Sequence, residues 1–199
     1  MAAALSLVLA SRSPQRRALL ERLGVPFTVR VSDASEIEQG EDPAAVAIEN
    51  ALRKARAVHR PEAREAVLGC DTIVVLDGVI YGKPADEHTA RATIEALAGR
   101  THEVLSGVAL LLAEERSGVV ERTALARTLV TFRELDEELL DWYVSTEEWR
   151  GRSGGYAIQG AGERLALSVD GEVENVVGLP LSTLAALCPE LFGAANPMA

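Results

Sequence analysis

The chain has 199 residues, 48% of them hydrophobic, with 20 Lys and Arg against 30 Asp and Glu and a formal net charge of −10. That length buries a real core as one domain or two small lobes, and the acidic balance excludes the basic face that sequence-independent DNA or RNA binding needs, while leaving room for a small anion in a local basic pocket. Two widely separated cysteines, Cys70 and Cys188, lack metal-ligand spacing and fit reduced thiols in a cytosolic, cytoplasmic protein, and no segment approaches a membrane span.

Met1 to Ala10 is apolar but has no basic leader, and Arg12 follows at once; it reads as a first strand, with Leu5 to Ala10 suited to burial on both faces. Ser13 and Pro14 then open a helix as cap and first residue, Leu19, Leu20 and Leu23 form its apolar face, and Gly24 ends it. A strand feeding a Ser- and Arg-rich helix start offers free N–H groups, a favourable dipole and the Arg16 fork to a phosphate. The plainer reading is a well-capped helix with solvated arginines. Phe27 to Val31 reads as a second strand, followed by an acidic loop, Ser32 to Glu38. One Glu there can serve a hard cation such as Mg²⁺, though such loops also serve solubility. Pro43 to Val58 is a long helix carrying Lys54, placed either at the mouth of a cleft or on the surface.

The stretch Val67 to Pro84 organises the chain. It reads as a buried strand, a polar break at Asp71 and Thr72, a second apolar run from Ile73 to Leu76, an Asp77-Gly78 hairpin turn, and a short return strand closing at Gly82-Lys83-Pro84. A carboxylate among strand residues needs a cation, a metal, a donor or water. Asp71 with Lys83 one hairpin away suits metal-assisted chemistry on an anion; a buried ion pair or a turn cap is the alternative.

Asp86 to Leu97 forms the next helix, stopped by Gly99. Thr101 to Ala113 and Val119 to Phe132 pair as long antiparallel strands, and Asp136 to Val144 is an amphipathic helix. The stretch 147–162 is irregular, with five glycines that imply close backbone approach or special dihedrals. Arg152, Tyr156 and Gln159 are its candidates for reading a planar ligand, Gln offering the donor and acceptor that a nucleobase edge requires. Ala166 to Val169 is a strand, Leu181 to Leu187 the last helix, and 193–199 a tail prone to fray.

Six stretches in order carry a resemblance: Leu9-Ala-Ser-Arg-Ser-Pro-Gln-Arg-Arg17, Gly69-Cys-Asp-Thr72, Gly82-Lys-Pro-Ala-Asp86, Gly99-Arg-Thr-His-Glu-Val-Leu-Ser-Gly107, Gly154-Gly-Tyr-Ala-Ile-Gln-Gly160 and Asn175-Val-Val-Gly-Leu-Pro-Leu181. Together they resemble the Maf family nucleoside triphosphate pyrophosphatases over almost the whole chain. The resemblance implies an α/β fold, a long mixed twisted sheet flanked by helices with a central cleft, in a single domain over 1–199 whose two lobes border that cleft, like the inosine triphosphate pyrophosphatases. It implies hydrolysis between the α and β phosphates, with Mg²⁺ or Mn²⁺ as cofactor, a small-molecule nucleotide as partner and a homodimer as a possible assembly. Asp71 matches the catalytic base, Ser13 and Arg16 the phosphate-binding helix start, and Glu36, Lys54, Lys83 and Asp86 the polar cleft positions, Glu36 with Asp71 being the expected metal ligands. Thr72 and Gln159 match the specificity positions of the branch acting on dTTP and UTP; the branch acting on a methylated GTP carries Gln and Glu there. Gln15 departs from that branch, which often has Arg at this third specificity position. Cys70 replaces an Ala or Ser, and the loop around Glu36 does not align cleanly, leaving Glu38 as its alternative. Two other functions compete: a nucleotide-binding regulator of cell division without essential catalysis, and a metal-dependent phosphatase releasing single phosphates.

Overall fold

Residues 6–114 and 118–189 are described by the structure, a computed structural model. The tail at 193–199 and the start of the first apolar run lie outside them.

A twelve-residue strand, β3 (Glu65–Leu76), is the axis of the molecule. Its alternate residues serve opposite faces, as strand geometry demands. Ala66, Leu68, Cys70, Val74 and Leu76 enter apolar clusters on one face, and Val67, Ile73 and Val75 enter clusters on the other. The polar break expected at Asp71 and Thr72 is absent. The ladder to β5 (Thr101–Glu114) continues without a shift from Ala66 opposite Leu112 to Val75 opposite Glu103. Both polar side chains find partners of their own, so the backbone has no reason to leave the ladder.

Among the described residues seven strands form one mixed sheet in the order β2-β1-β3-β5-β6-β7, with β4 attached to β3. Here β1 is Ser6–Leu9, β2 Phe27–Val29, β4 Val79–Tyr81, β6 Gly118–Phe132 and β7 Ala166–Asp170. The second strand thus stops two residues before its expected end. β1 runs parallel to β2 and β3, and the remaining pairings are antiparallel. Asp77 and Gly78 both adopt positive φ, at 51° and 78°, giving the turn that returns β4 along β3.

Among the described residues six α-helices cover the sheet. They are α1 (Pro14–Arg22), α2 (Pro43–Val58), α3 (Glu87–Leu97), α4 (Glu137–Ser145), α5 (Val173–Val177) and α6 (Leu181–Leu187). Ser13, Asp42, Asp86 and Asp136 cap the first four, each accepting from backbone N–H groups of the opening turn. The short α5 lies between the last strand and the last helix, a stretch for which the sequence pattern predicts no element. No helix among the described residues is long and apolar enough to cross a membrane.

Two features of this sheet make a site. The first is a gap. β1 leaves β3 at Leu68, and β4 joins it only at Val74. Between those points β3 has no strand on that side, so Asp71 and Thr72 stand beside an opening. The second is the close approach of α2. A Cβ at Gly69 would lie 2.1 Å from the Ala51 carbonyl oxygen, and one at Gly107 2.2 Å from that of Ala47. The helix backbone therefore rests directly on two glycines flanking Asp71.

Candidate active site

A cleft of about 820 Å³ opens at the gap, lined by the β1–α1 turn, the acidic loop, Lys83, Asp71, Thr72 and the irregular 148–160 stretch. Asp71 points to the α2 side and is only 5% exposed. Because α2 sits so close, its residues 50 and 54, one turn apart, hang over that carboxylate. Lys54 Nζ lies 2.5 Å from Asp71 Oδ1, and Asn50 Nδ2 donates to Oδ2 at 2.9 Å. The same ammonium reaches Glu36 Oε1 at 2.7 Å, and Lys83 Nζ meets Glu36 Oε2 at 2.7 Å. Asp71, Lys54, Glu36 and Lys83 thus form one continuous chain of alternating charge. Burial pushes the Glu36 carboxyl upward, but hydrogen bonds and charge from Lys54 and Lys83 outweigh it and bring its pKa down to about 2.

On the other face of β3, Thr72 meets Arg16. The guanidinium donates to the Gly178 carbonyl at 2.8 Å, to Ser11 Oγ at 3.3 Å and to Thr72 Oγ1 at 3.2 Å. Thr72 also shares a 2.8 Å hydrogen bond with Ser106 Oγ. Ser13 accepts from the Arg16 N–H at 3.3 Å and donates to Gln15 Oε1 at 2.9 Å. The cation that turns toward the helix start is therefore held by neutral acceptors, which leaves its charge available to an anion.

The irregular stretch is pinned rather than floppy. Ser153 Oγ donates to the Thr72 carbonyl at 2.8 Å, the Gly154 N–H to the Gly82 carbonyl at 3.0 Å, and Tyr143 OH to the Gly155 carbonyl at 3.0 Å. Gly154 sits at φ 66°, where a Cβ would strike Val74 at 2.6 Å. Tyr156 OH pairs with His102 Nε2 at 2.9 Å beneath the cleft. Gln159 lines the cleft with its side chain exposed.

The structure brings together Asp71, Lys54, Glu36 and Lys83 by direct contact, and Ser13, Gln15, Arg16 and Thr72 along the neighbouring wall. Glu38 also lines the cleft, but Glu36 is the residue that joins the two lysines. Asp86 is not brought to this site. Its side chain caps α3, accepting from the Thr89 N–H at 2.7 Å, and it is absent from the cleft lining. A carboxylate at that sequence position is claimed by the helix start that follows it. Sequence reasoning missed Asn50, Ser11 and Ser106. Asn50 carried one signal: a polar residue on the apolar face of α2, four residues before Lys54.

Among the described residues no group of three or more His, Cys, Asp or Glu side chains gathers to hold a metal. A hard cation needs less than that. Mg²⁺ binds through one or two carboxylates with waters and substrate phosphates completing its shell. Glu36 and Asp71, bridged by a single ammonium, are a donor set of that kind.

Residues 6–191 match the family described as Maf-like protein. A dTTP/UTP pyrophosphatase of Anaeromyxobacter sp. strain Fw109-5 is 45% identical over 185 residues, covering 92% of this chain and 88% of that one. Those of Symbiobacterium thermophilum and Pyrococcus abyssi are 46% and 39% identical, over 88% and 91% of this chain and 88% and 94% of their own. Among solved structures, a nucleoside-triphosphatase / dITP/XTP pyrophosphatase of Mycobacterium abscessus aligns with a TM-score of 0.42 at 21% identity, over 66% of this chain and 76% of that one. A family match over nearly the whole chain, and relatives this similar over most of both lengths, place the chain in the Maf-like protein family.

Proposed function

We propose that this chain hydrolyses dTTP and UTP between the α and β phosphates, releasing the nucleoside monophosphate and pyrophosphate, and does so in the cytoplasm as one catalytic unit whose two lobes hold the nucleotide. The observation that carries the reading is the Asp71 carboxylate, fixed by Lys54 and Asn50 at the floor of a cleft that Arg16 and Lys83 also line. The relatives named dTTP/UTP pyrophosphatases supply the substrate class. Two buried thiols outside any disulfide, Cys70 and Cys188, support a reducing compartment.

Triphosphate hydrolysis rests on charge neutralisation and an aligned water. Arg16 at the α1 start, with Lys54 and Lys83, offsets the phosphate charge, the two lysines exchanging Glu36 for phosphate oxygens. Asp71 accepts the proton of the attacking water as its oxygen bonds to the α phosphorus and the bond to the bridging oxygen breaks. A divalent cation, Mg²⁺ or Mn²⁺, held by Glu36 and Asp71 would supply further neutralisation and a more acidic water. Thr72, Gln159 and Gln15 all line the cleft and are the side chains that would read the base.

The test is pyrophosphate release from dTTP, UTP, CTP, GTP and a methylated GTP with Mg²⁺ or Mn²⁺, in wild type and Asp71→Asn. Wild type acts on dTTP and UTP, and the variant loses about 10²–10⁴-fold. The reading is abandoned if wild type releases pyrophosphate from no nucleotide; orthophosphate as first product replaces it with a phosphatase.

A further inference from the structure

We infer that Asn50 is a positioning residue, an uncharged side chain that, beside Lys54, fixes the acidic loop and the Asp71 carboxylate relative to each other; this rests on the pyrophosphatase reading above. Asn50 is 1% exposed and does not line the cleft, so no substrate reaches it. Its amide nevertheless bonds Asp71 in the cleft and Ile37, which lies between the lining residues Glu36 and Glu38. Oδ1 accepts from the Ile37 N–H at 2.7 Å. Nδ2 donates to the Ile37 carbonyl at 2.9 Å and, with its second hydrogen, to Asp71 Oδ2 at 2.9 Å.

The pattern is specific to an amide. The two bonds to Ile37 imitate a strand pairing, with one donor and one acceptor set against a single backbone residue. They lock the residue next to Glu36 onto α2. The third bond holds the Asp71 oxygen that Lys54 does not touch. Loop and carboxylate belong to different elements, separated by more than thirty residues, and no strand pairing connects them. Without Asn50, their relative position would rest on Lys54 alone. A lysine cannot serve both ends once a triphosphate competes for its ammonium, because a flexible four-carbon stem holds a charge but not a geometry. Asn50 keeps Asp71 and Glu36 in place while the lysines change partners. Misplacement of a reacting group by about 1 Å costs on the order of 10²-fold in rate.

Asp at this position is the discriminating substitution. Asn50→Asp keeps the shape of the side chain and its acceptor for the Ile37 N–H, but gives up both amide N–H donors; a carboxyl set against Asp71 retains at most one proton, which cannot serve the Ile37 carbonyl and Asp71 together. Asn50→Ala removes all three bonds. In both variants kcat for dTTP falls by about 10–100-fold. KM stays within about twofold, since Asn50 contributes nothing to direct substrate contact. Thermal unfolding remains a single cooperative transition. In the Asp71→Asn background the Asn50→Ala change adds little further loss, because the residue it positions has already lost its function.

A kcat within about twofold of wild type in folded Asn50→Asp overturns the inference. So does a KM rise that accounts for the whole loss, or full additivity with Asp71→Asn. If Asn50→Ala does not fold, the Asn50→Asp result decides alone. Failure of the function reading is separately visible as an inactive wild type.

Discussion

Lys54 is asked to do more than any other residue in the cleft. It is 9% exposed and contacts two carboxylates that would otherwise repel each other beside a low-dielectric wall. Removing one partner of a buried ion pair leaves an uncompensated charge, which costs more than the pair itself contributes. Lys54→Met, which preserves the stem volume, is expected to abolish activity and lower stability to urea by about 3 kcal/mol. The double variant Lys54→Met with Asp71→Asn should recover part of that loss, since no buried charge is then left alone. A double variant less stable than Lys54→Met refutes this account of the pair. Gln159 presents the opposite case. It is exposed, so its substitution bears on the ligand and not on the fold. Gln159→Glu exchanges a donor for a charged acceptor. It should lower kcat/KM for dTTP by about 10–100-fold with an unchanged Tm, checked by nucleotide competition and calorimetry. A loss of stability equal to the loss of activity would assign Gln159 a structural part instead.

At the scale of elements, the packing of α2 on β3 and β5 decides where the chemistry sits. Its apolar residues Val46, Ala47, Ala51, Ala55 and Val58 announce the buried face, and its start at Asp42 and Pro43 is equally plain in the sequence. The central strands read clearly too, from continuous apolar runs that suit burial on both faces. Three things were hidden. The strand through Asp71 and Thr72 looks broken because a polar pair normally marks an exit from a sheet. Only the partners on α2 and α1, distant in sequence, show that both side chains are satisfied in place. The α5 helix is five residues long, starts at Glu172 without a side-chain cap and ends at Gly178 with φ 130°, too short for a periodic signal. Asp86 carries both a cleft motif and a helix-cap motif, and local geometry gives it to the cap. The glycine contacts also explain what no periodicity could. Gly107→Ala would push its new methyl against the Ala47 carbonyl, a backbone atom that cannot yield locally. The helix must lift, carrying Asn50 and Lys54 away from Asp71. The variant is expected to lose about 1–3 kcal/mol in stability, and most of its pyrophosphate release at temperatures where it is still folded. Full activity in a folded Gly107→Ala protein would show that the helix can rise without disturbing the carboxylate.

The molecule as a whole carries excess negative charge, yet the lining of its cleft is balanced, with Arg12, Arg16, Lys54, Lys83 and Arg152 against Asp33, Glu36, Glu38, Asp71 and Glu148, so the site is less hostile to an anion than the net charge suggests. The stability of the whole fold has its own electrostatic signature, and it comes from His102. This imidazole is 1% exposed between Phe132 and Tyr156, with Tyr156 OH on Nε2 and, among the described residues, no partner on Nδ1. Burial disfavours its cationic form and lowers its pKa from 6.5 to about 4. The unfolded chain takes up a proton near pH 6.5 that the folded chain refuses until about pH 4. In that interval the unfolded state binds more protons, so the contribution of His102 to stability is complete above pH 6.5 and is lost as the pH falls toward 4. Glu36 follows at lower pH. Its depressed carboxyl pKa stabilises the fold above pH 4.5, and that contribution fades toward about pH 2. The two windows overlap only between about pH 4 and 4.5. His102→Gln offers Tyr156 an amide partner and removes the titration. Wild type should therefore lose stability on acidification from pH 6.5 to 4 more steeply than His102→Gln, and the two should lose it in parallel below that interval. Identical slopes above pH 4 in urea unfolding of both proteins would mean that the imidazole takes its proton without leaving the core, and that water reaches Nδ1 from the cleft.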